Sequence, residues 1–124
     1  MKQVLATEQA PAAIGPYSQG IAAGETVYVS GQLPLDPATG AFPEGIAAQT
    51  AQSLKNIQAI LAQQGMTLAN VVKTTVFLAD INDFAEMNKV YGEFFTQPYP
   101  ARSAVQVAKL PKDAPLEIEC IDVK

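Results

Sequence analysis

The 124-residue sequence contains no histidine and a single cysteine, Cys120. A Ser–His–Asp triad and a Cys–His pair are therefore excluded, and a zinc site would lack its usual ligands. No Asp/Glu cluster has the spacing of a calcium loop. Cys120 cannot form an intramolecular disulfide, and a lone cysteine is typical of a reducing, cytosolic setting. We therefore expect a cytoplasmic protein without a bound metal.

Charged residues are also scarce, at 16% of the chain, compared with about 25% in an average domain. The net charge is −4, and the eight Lys and Arg residues are scattered. They form no basic stripe that could bind nucleic acid. We find no secretory signal and no apolar run of the roughly 20 residues that cross a membrane. The low charge suggests that another subunit covers part of the surface.

Length and apolar content fit one globular domain, which we expect to span residues 1–124. Hydrophobic periodicity predicts two helices, the first over residues 46–64 and the second after Asp83. The apolar stripe of the second helix consists of Phe84, Met87, Val90, Tyr91 and Phe94. β-Branched runs predict strands over 26–30, 71–78, 102–108 and 116–123, and short strands fit before and after Tyr17. Two helices can cover only one face of such a sheet, so we expect an α+β sandwich whose other face meets water or another subunit.

The last predicted strand has two chemically distinct faces, because side chains alternate along a strand. Leu116, Ile118 and Cys120 form an apolar face. We assign this face to the core, which makes Cys120 a buried packing residue rather than a nucleophile. Glu117 and Glu119 then project from the opposite face.

The same alternation in the preceding strand separates Val105 and Val107 from Arg102. We therefore expect Arg102 to project away from the helices, on the same outer face as the two carboxylates. Tyr28 and Ser30 of the first predicted strand should share that face. A mixed face of this kind fits packing against another copy around a polar pocket, as in a closed homo-oligomer.

Arg102 and Glu117 each allow two interpretations. Arg102 is either a surface residue, paired for example with Glu119, or a bidentate clamp for a carboxylate. Composition alone favours the surface interpretation, because exposed ion pairs are common. Glu117 is either an exposed strand residue or a general acid or base in a closed seam, where its pKa would be raised by desolvation or lowered by Arg102.

Two further residues are open to the same choice. Tyr17 follows Gly15-Pro16 and either packs on the surface or extends its hydroxyl into a pocket. Asn88 lies in the middle of the second predicted helix, where asparagine is not favoured. It is either an exposed polar residue or part of a binding site.

Four separated blocks, in order, resemble the RidA (formerly YjgF) family. The resemblance covers nearly the whole chain, from about Ala6 to Val123, and its first block runs from Ala10 to Gln19. The second and third blocks are Val29-Ser30-Gly31-Gln32-Leu33-Pro34 and Asp83-Phe84-Ala85-Glu86-Met87-Asn88. The fourth joins Pro100-Ala101-Arg102-Ser103-Ala104-Val105-Gln106-Val107 to Leu110-Pro111 and Leu116-Glu117-Ile118-Glu119.

The resemblance implies a chorismate-mutase-like α+β fold and a homotrimer with one site at each subunit seam. It implies that the residue matching Arg102 binds a substrate carboxylate and that the one matching Glu117 positions or activates water. No cofactor is implied. The implied pocket is lined by Tyr17, Ser30, Gly31, Asn88 and the backbone of Ala104.

The activity implied by the resemblance is hydrolysis of 2-imino or 2-enamino acids, such as 2-aminoacrylate, to 2-keto acids and ammonia. Many members have cysteine where this chain has Ala104, so thiol chemistry at that position cannot be carried over. Two alternatives remain open. One is a non-catalytic trimeric module that binds 2-keto or amino acids. The other is a ribonuclease or translation inhibitor, against which the acidic charge and missing histidine argue.

Overall fold

The computed structural model describes every residue from Met1 to Lys124. It contains six strands and two helices, together with three short 3-10 turns. The elements are β1 (Lys2–Leu5), β2 (Gly20–Ala23), β3 (Thr26–Gln32), α1 (Ile46–Ala62), β4 (Val71–Leu78), α2 (Phe84–Phe94), β5 (Ala101–Gln106) and β6 (Leu116–Val123). The two short strands on either side of Tyr17 are confirmed.

The six strands form one mixed sheet in the order β1-β2-β3-β6-β4-β5. All neighbours are antiparallel except β4 and β5, which are connected through α2 and run parallel. Both helices pack on the same face of this sheet, and the predicted α+β architecture is confirmed. Neither helix is long and apolar enough to cross a bilayer.

Most element boundaries agree with the sequence prediction to within two residues. β4 and β6 have the predicted limits, whereas β3 extends two residues further, to Gln32. The first helix ends at Ala62 instead of residue 64. The chain leaves this helix through Gly65, whose φ is +66°. Gly65 N–H donates to the Ala62 carbonyl and Met66 N–H to the Leu61 carbonyl, which is the hydrogen-bond pattern of a glycine-terminated helix.

The core lies between the helices and one face of the sheet. Its fully buried apolar side chains come from both helices and from β3, β4 and β6: Leu54, Ile57, Ile60, Leu61, Met87, Val27, Val76, Leu78, Leu116 and Ile118. Asn56, which the periodicity of the first helix places on a polar side, is also buried. Its amide donates to the carbonyls of Leu33 and Leu35. The helix therefore fixes the turn that follows β3.

One carboxyl group, that of Asp122, is fully buried in this core. Its Oδ2 accepts a hydrogen bond from the Cys120 thiol at 3.4 Å, and its Oδ1 has no partner. Burial raises the pKa of Asp122 to about 7, and the bond from Cys120 offsets only part of this effect. The folded state therefore favours the protonated acid.

We predict that Asp122 makes the folded protein less stable as the pH rises. The folded pKa lies above the unfolded value near 3.8, so the free energy of unfolding should fall between about pH 4 and pH 7, by ~1.4 kcal/mol per pKa unit. Asp122→Asn should remove this slope and be ~1–3 kcal/mol more stable than the parent at pH 8. Urea unfolding at several pH values measures both effects. The exposed Asp113→Asn is the control, and an unchanged slope in Asp122→Asn would contradict the prediction.

Candidate functional site

Arg102 lies on the helix-covered side of the sheet, so the predicted placement on the outer face is wrong. In the parallel ladder Arg102 pairs with Thr74 of β4, and Thr74 is fully buried under the helices. The valine that sequence alternation directs toward the core, Val105, is instead 44% exposed on the outer face. The side chains of β5 do alternate between two faces as predicted, but Arg102 and Ala104 lie on the covered face and Val105 lies on the outer face.

The Arg102 guanidinium is held by three side chains of α2. Its Nη1 donates to Asn88 Oδ1 at 2.7 Å. Its central carbon lies 4.7 Å from the ring centroid of Tyr91 and 5.4 Å from that of Phe84. Such guanidinium–aromatic contacts are electrostatically favourable. Asn88 is thus a partner of the arginine, which supports its interpretation as a site residue.

Arg102 has no carboxylate partner within the chain. The single ion pair of the protein joins Lys109 to Asp113 on the surface, so the alternative pairing with Glu119 is not formed. Arg102 is also the only arginine in the sequence. Its remaining N–H donors make no hydrogen bond in the chain, and their fork geometry suits a carboxylate.

Ala104 follows Arg102 by two residues and shares its side of the sheet. It pairs with the fully buried Val76 and packs partly against the core. Its strand, β5, is an edge strand bonded only to β4. Part of the β5 backbone therefore has no strand partner and is free to bind other groups. Arg102, Asn88 and Ala104 together form what we name the arginine half-site.

Glu117 lies on the outer face, as predicted. It pairs with Phe77 of β4, whereas its neighbour Ile118 is fully buried. The carboxyl group lies against the backbone of β3 at Gly31, where the register between β3 and β6 shifts. A Cβ atom at Gly31 would come within 2.6 Å of the Glu117 carboxyl carbon. Only glycine therefore permits this approach.

The environment of Glu117 raises the pKa of its carboxyl group. Partial burial is the main cause, and the negative charge of Glu119 adds to it. Glu119 shares the outer face of β6, two residues further along the strand. A raised pKa makes the Glu117 carboxylate a stronger base, while its half-buried position leaves it accessible to water.

Ser30 directly precedes Gly31, against which the Glu117 carboxyl lies, and it is hydrogen-bonded to the loop that carries Tyr17. Ser30 Oγ donates to the Ser18 carbonyl at 2.6 Å, and its N–H donates to the Gln19 carbonyl. Tyr17, directly before Ser18, is 53% exposed, and its hydroxyl makes no hydrogen bond within the chain. We name Glu117, Gly31, Ser30 and Tyr17 the glutamate half-site. A hollow of about 290 Å³ beside it is lined in part by Ser18, Tyr28, Ser30 and Glu119.

Gln19 is a positioning residue that sequence reasoning missed. Its buried side-chain amide donates to the carbonyls of Thr7, Ala10 and Pro11, and its oxygen accepts from Thr7 N–H. These bonds fix the loop that leads to Tyr17. The signal in the sequence was a lone glutamine at the end of the first family block.

The site residues thus form two groups on opposite faces of the sheet. The arginine half-site lies beside α2 at the β5 edge, and the glutamate half-site lies on the outer face near β3 and β6. β4 separates β5 from β6. Arg102 and Glu117 of one chain therefore do not converge on a single small molecule. Cys120 is buried on the core face, as expected, and burial raises the pKa of its thiol further above the ordinary value.

Comparison with known proteins gives one matching family and close full-length relatives. The family described as Endoribonuclease L-PSP matches residues 7–124. A 2-iminobutanoate/2-iminopropanoate deaminase of Salmonella typhimurium is 53% identical, and the alignment covers 100% of this chain and 99% of that protein.

Two solved Escherichia coli structures have the same fold. The YjgF gene product is 51% identical, with a TM-score of 0.94 and coverage of 98% of both chains. TdcF with bound serine is 47% identical, with a TM-score of 0.94 and 98% coverage of both chains.

We predict that Gly31→Ala destabilises the protein through its clash with Glu117. The clashing atoms are the far end of a flexible side chain, so the cost in the free energy of unfolding should be only ~0.5–1.5 kcal/mol, as for a side chain moved off its preferred rotamer. Combining Gly31→Ala with Glu117→Ala should recover most of the loss, because the clashing carboxyl group is gone. Gly92→Ala, in an open part of α2, is the matched control and should stabilise by up to ~1 kcal/mol. Equal costs of Gly31→Ala with and without Glu117 would refute the steric interpretation.

Proposed function

This chain belongs to the Endoribonuclease L-PSP family, which includes the RidA (YjgF) deaminases, and on that premise we propose that it is a 2-iminobutanoate/2-iminopropanoate deaminase. The observation that carries the proposal is the free guanidinium of Arg102, which is oriented by α2 but has no acidic partner. A 2-imino acid offers the carboxylate that this guanidinium lacks.

The family description and the relatives' names point to different substrates, RNA and imines. RNA binding depends mainly on cations that contact phosphates, and this chain has a net charge of −4 and a single arginine. A histidine pair for general acid–base cleavage of RNA is absent as well. These properties favour the small-molecule substrate.

The proposed reaction is hydrolysis of the carbon–nitrogen double bond. An enamine such as 2-aminoacrylate first tautomerises to its imine. Arg102 binds the carboxylate and so orients C2. Glu117 accepts a proton from a water molecule as the water oxygen attacks C2. The proton passes to nitrogen and gives a tetrahedral carbinolamine. Transfer of its hydroxyl proton to nitrogen forms the C=O bond as the C–N bond breaks, so ammonia leaves and the 2-keto acid remains. General-base catalysis of this type contributes ~10²–10⁴-fold, which suits a reaction that already proceeds in water. The step requires no cofactor.

We propose further that each site is shared between two subunits of a homotrimer. The two half-sites lie on opposite faces of one sheet, so a single site needs the arginine half-site of one chain and the glutamate half-site of another. The outer face also exposes apolar side chains, including Tyr28, Val105 and Ile121. A closed ring of three copies would cover them and form three equivalent seams. The free thiol of Cys120 is compatible with the reducing cytoplasm as the location of this trimer.

We predict that Arg102→Ala lowers imine hydrolysis by about 10- to 100-fold, the loss expected when charge-assisted hydrogen bonds to the carboxylate are removed. Arg102→Lys should also be impaired, because lysine lacks the planar fork. In the assay, an amino-acid oxidase generates imines from several L-amino acids, and semicarbazide traps what is not hydrolysed. Active protein lowers semicarbazone formation. Lys89→Ala, which removes an exposed charge next to Asn88, is the matched control.

Three outcomes separate the candidate functions. Hydrolysis by the parent and by Lys89→Ala, but not by Arg102→Ala, supports the deaminase. Thermal stabilisation by 2-ketobutyrate without turnover of any imine would replace the deaminase with a ligand-binding module. RNA binding that weakens steeply with salt would instead favour the ribonuclease.

A mixing experiment tests whether the sites are shared. Arg102→Ala alone should keep at most about a tenth of the parental activity, and Glu117→Gln alone at most about a hundredth. Co-expressed in equal amounts, they should regain about a quarter of the parental activity, because a random ring unites an intact Arg102 and an intact Glu117 at about one seam in four. Differently tagged chains allow mixed rings to be purified and sized. Mixed rings without any recovered activity would contradict a site that combines residues of two chains.

A further inference from the structure

We propose that Tyr91, held by Thr74, is a positioning residue that aims the Arg102 guanidinium at the substrate carboxylate. The proposal rests on the carboxylate-binding role proposed above for Arg102. No role in the reaction was assigned to either residue from the sequence, where Tyr91 belonged to the apolar stripe of the second helix. The inference comes from the contacts of its ring and of its hydroxyl group.

The Tyr91 ring is fixed at both ends. Its backbone belongs to α2, and its hydroxyl shares a 2.7 Å hydrogen bond with Thr74 Oγ1 in β4. Both residues are buried, at 5% and 0% exposure. Burial also raises the pKa of the Tyr91 hydroxyl, so it stays protonated and keeps this bond. The hydroxyl therefore ties the helix to the strand directly beneath the site.

Thr74 and Arg102 are register partners in neighbouring parallel strands. The bond that anchors Tyr91 is therefore made beside the strand position from which the arginine emerges. The guanidinium carbon lies 4.7 Å from the Tyr91 ring centroid, and Phe95 packs against the same ring with centroids 4.5 Å apart. A ring supported in this way keeps its position when the flexible arginine side chain moves.

The positioning is needed because an arginine side chain is long and rotatable, whereas bidentate binding demands a defined plane. Asn88 provides one hydrogen bond, but Asn88 is itself exposed on α2. Phe84 provides a second aromatic contact at 5.4 Å. Tyr91 is the one buried member of this set, so it provides the rigid surface on which the guanidinium rests.

Three substitutions separate the ring from the hydroxyl. Tyr91→Leu removes the aromatic face and should raise the Kd for 2-ketobutyrate by about 5- to 30-fold, the range expected for a partly desolvated cation–π contact. Tyr91→Phe keeps the ring but loses the bond to Thr74, so it should give a smaller rise in Kd, about 2- to 5-fold. Phe84→Leu, a less buried change, should give an intermediate loss. Phe94→Leu removes an aromatic ring from the same helix without touching Arg102 and is the matched control.

The single arginine gives a readout that does not depend on turnover. In a ¹⁵N-arginine sample, the Nε–Hε group of Arg102 is the only such signal and needs no assignment. A guanidinium above an aromatic face should show an upfield shift of this proton. The shift should persist in Phe94→Leu, be reduced in Tyr91→Phe and be largely lost in Tyr91→Leu, with a change in line width as the side chain becomes mobile.

The outcomes distinguish the positioning role from the proposed activity. If the parent binds 2-ketobutyrate but hydrolyses no imine, the deaminase proposal fails, and the binding loss in Tyr91→Leu still supports positioning. If imines are hydrolysed, Tyr91→Leu should raise KM more than it lowers kcat. Positioning is overturned if Tyr91→Leu keeps the parental Hε shift and Kd. It is also overturned if Phe94→Leu loses as much binding as Tyr91→Leu.

Discussion

The structure depends on one constraint, which is that two helices cover one face of a six-stranded sheet and leave the other face bare. The covered face holds the core, so its side chains are mostly apolar or hydrogen-bonded, with the Asp122 carboxyl as an exception. The bare face carries Glu117 and a set of exposed apolar side chains. Arg102 lies on the covered side but at the β5 edge, where its guanidinium contacts α2 and keeps unpaired N–H donors while its stem stays packed.

Much of the fold could be predicted from the sequence, because strong periodicity determines element type. The limits of β4 and β6 and the faces of β6 were predicted correctly, because β-branched residues dominate β4 and residues 116–120 of β6 alternate between apolar and charged side chains. The faces to which the side chains of β5 point were not predicted correctly. That prediction assumed that valine faces the core, but the outer face is itself partly apolar, and Val105 belongs to it. Alternation defines two faces of a strand, and only tertiary contacts identify which one is buried.

The residues of the candidate site could be predicted from the sequence, but their arrangement in space could not. The family blocks named Arg102, Asn88, Glu117 and Gly31, yet no pattern in one sequence reports that the first two and the last two lie on opposite faces. Gly31 is an example. A glycine in a strand indicates that some group approaches the backbone closely, but only the folded structure shows that this group is the Glu117 carboxyl. The supports made by Gln19 and Asn56 were missed because buried amides look like surface residues in a sequence.

The parallel pairing of β4 and β5 through α2 has a consequence for how this protein can vary. Everything that holds the arginine, namely Thr74, Phe84, Asn88 and Tyr91, lies within the uninterrupted segment 71–106. The glutamate half-site is instead assembled from both ends of the chain. One continuous segment of the gene therefore encodes the arginine half-site and the residues that support it. Recombination between relatives could exchange this segment as a unit. The residues that bind the carboxylate and those that activate water can therefore evolve independently.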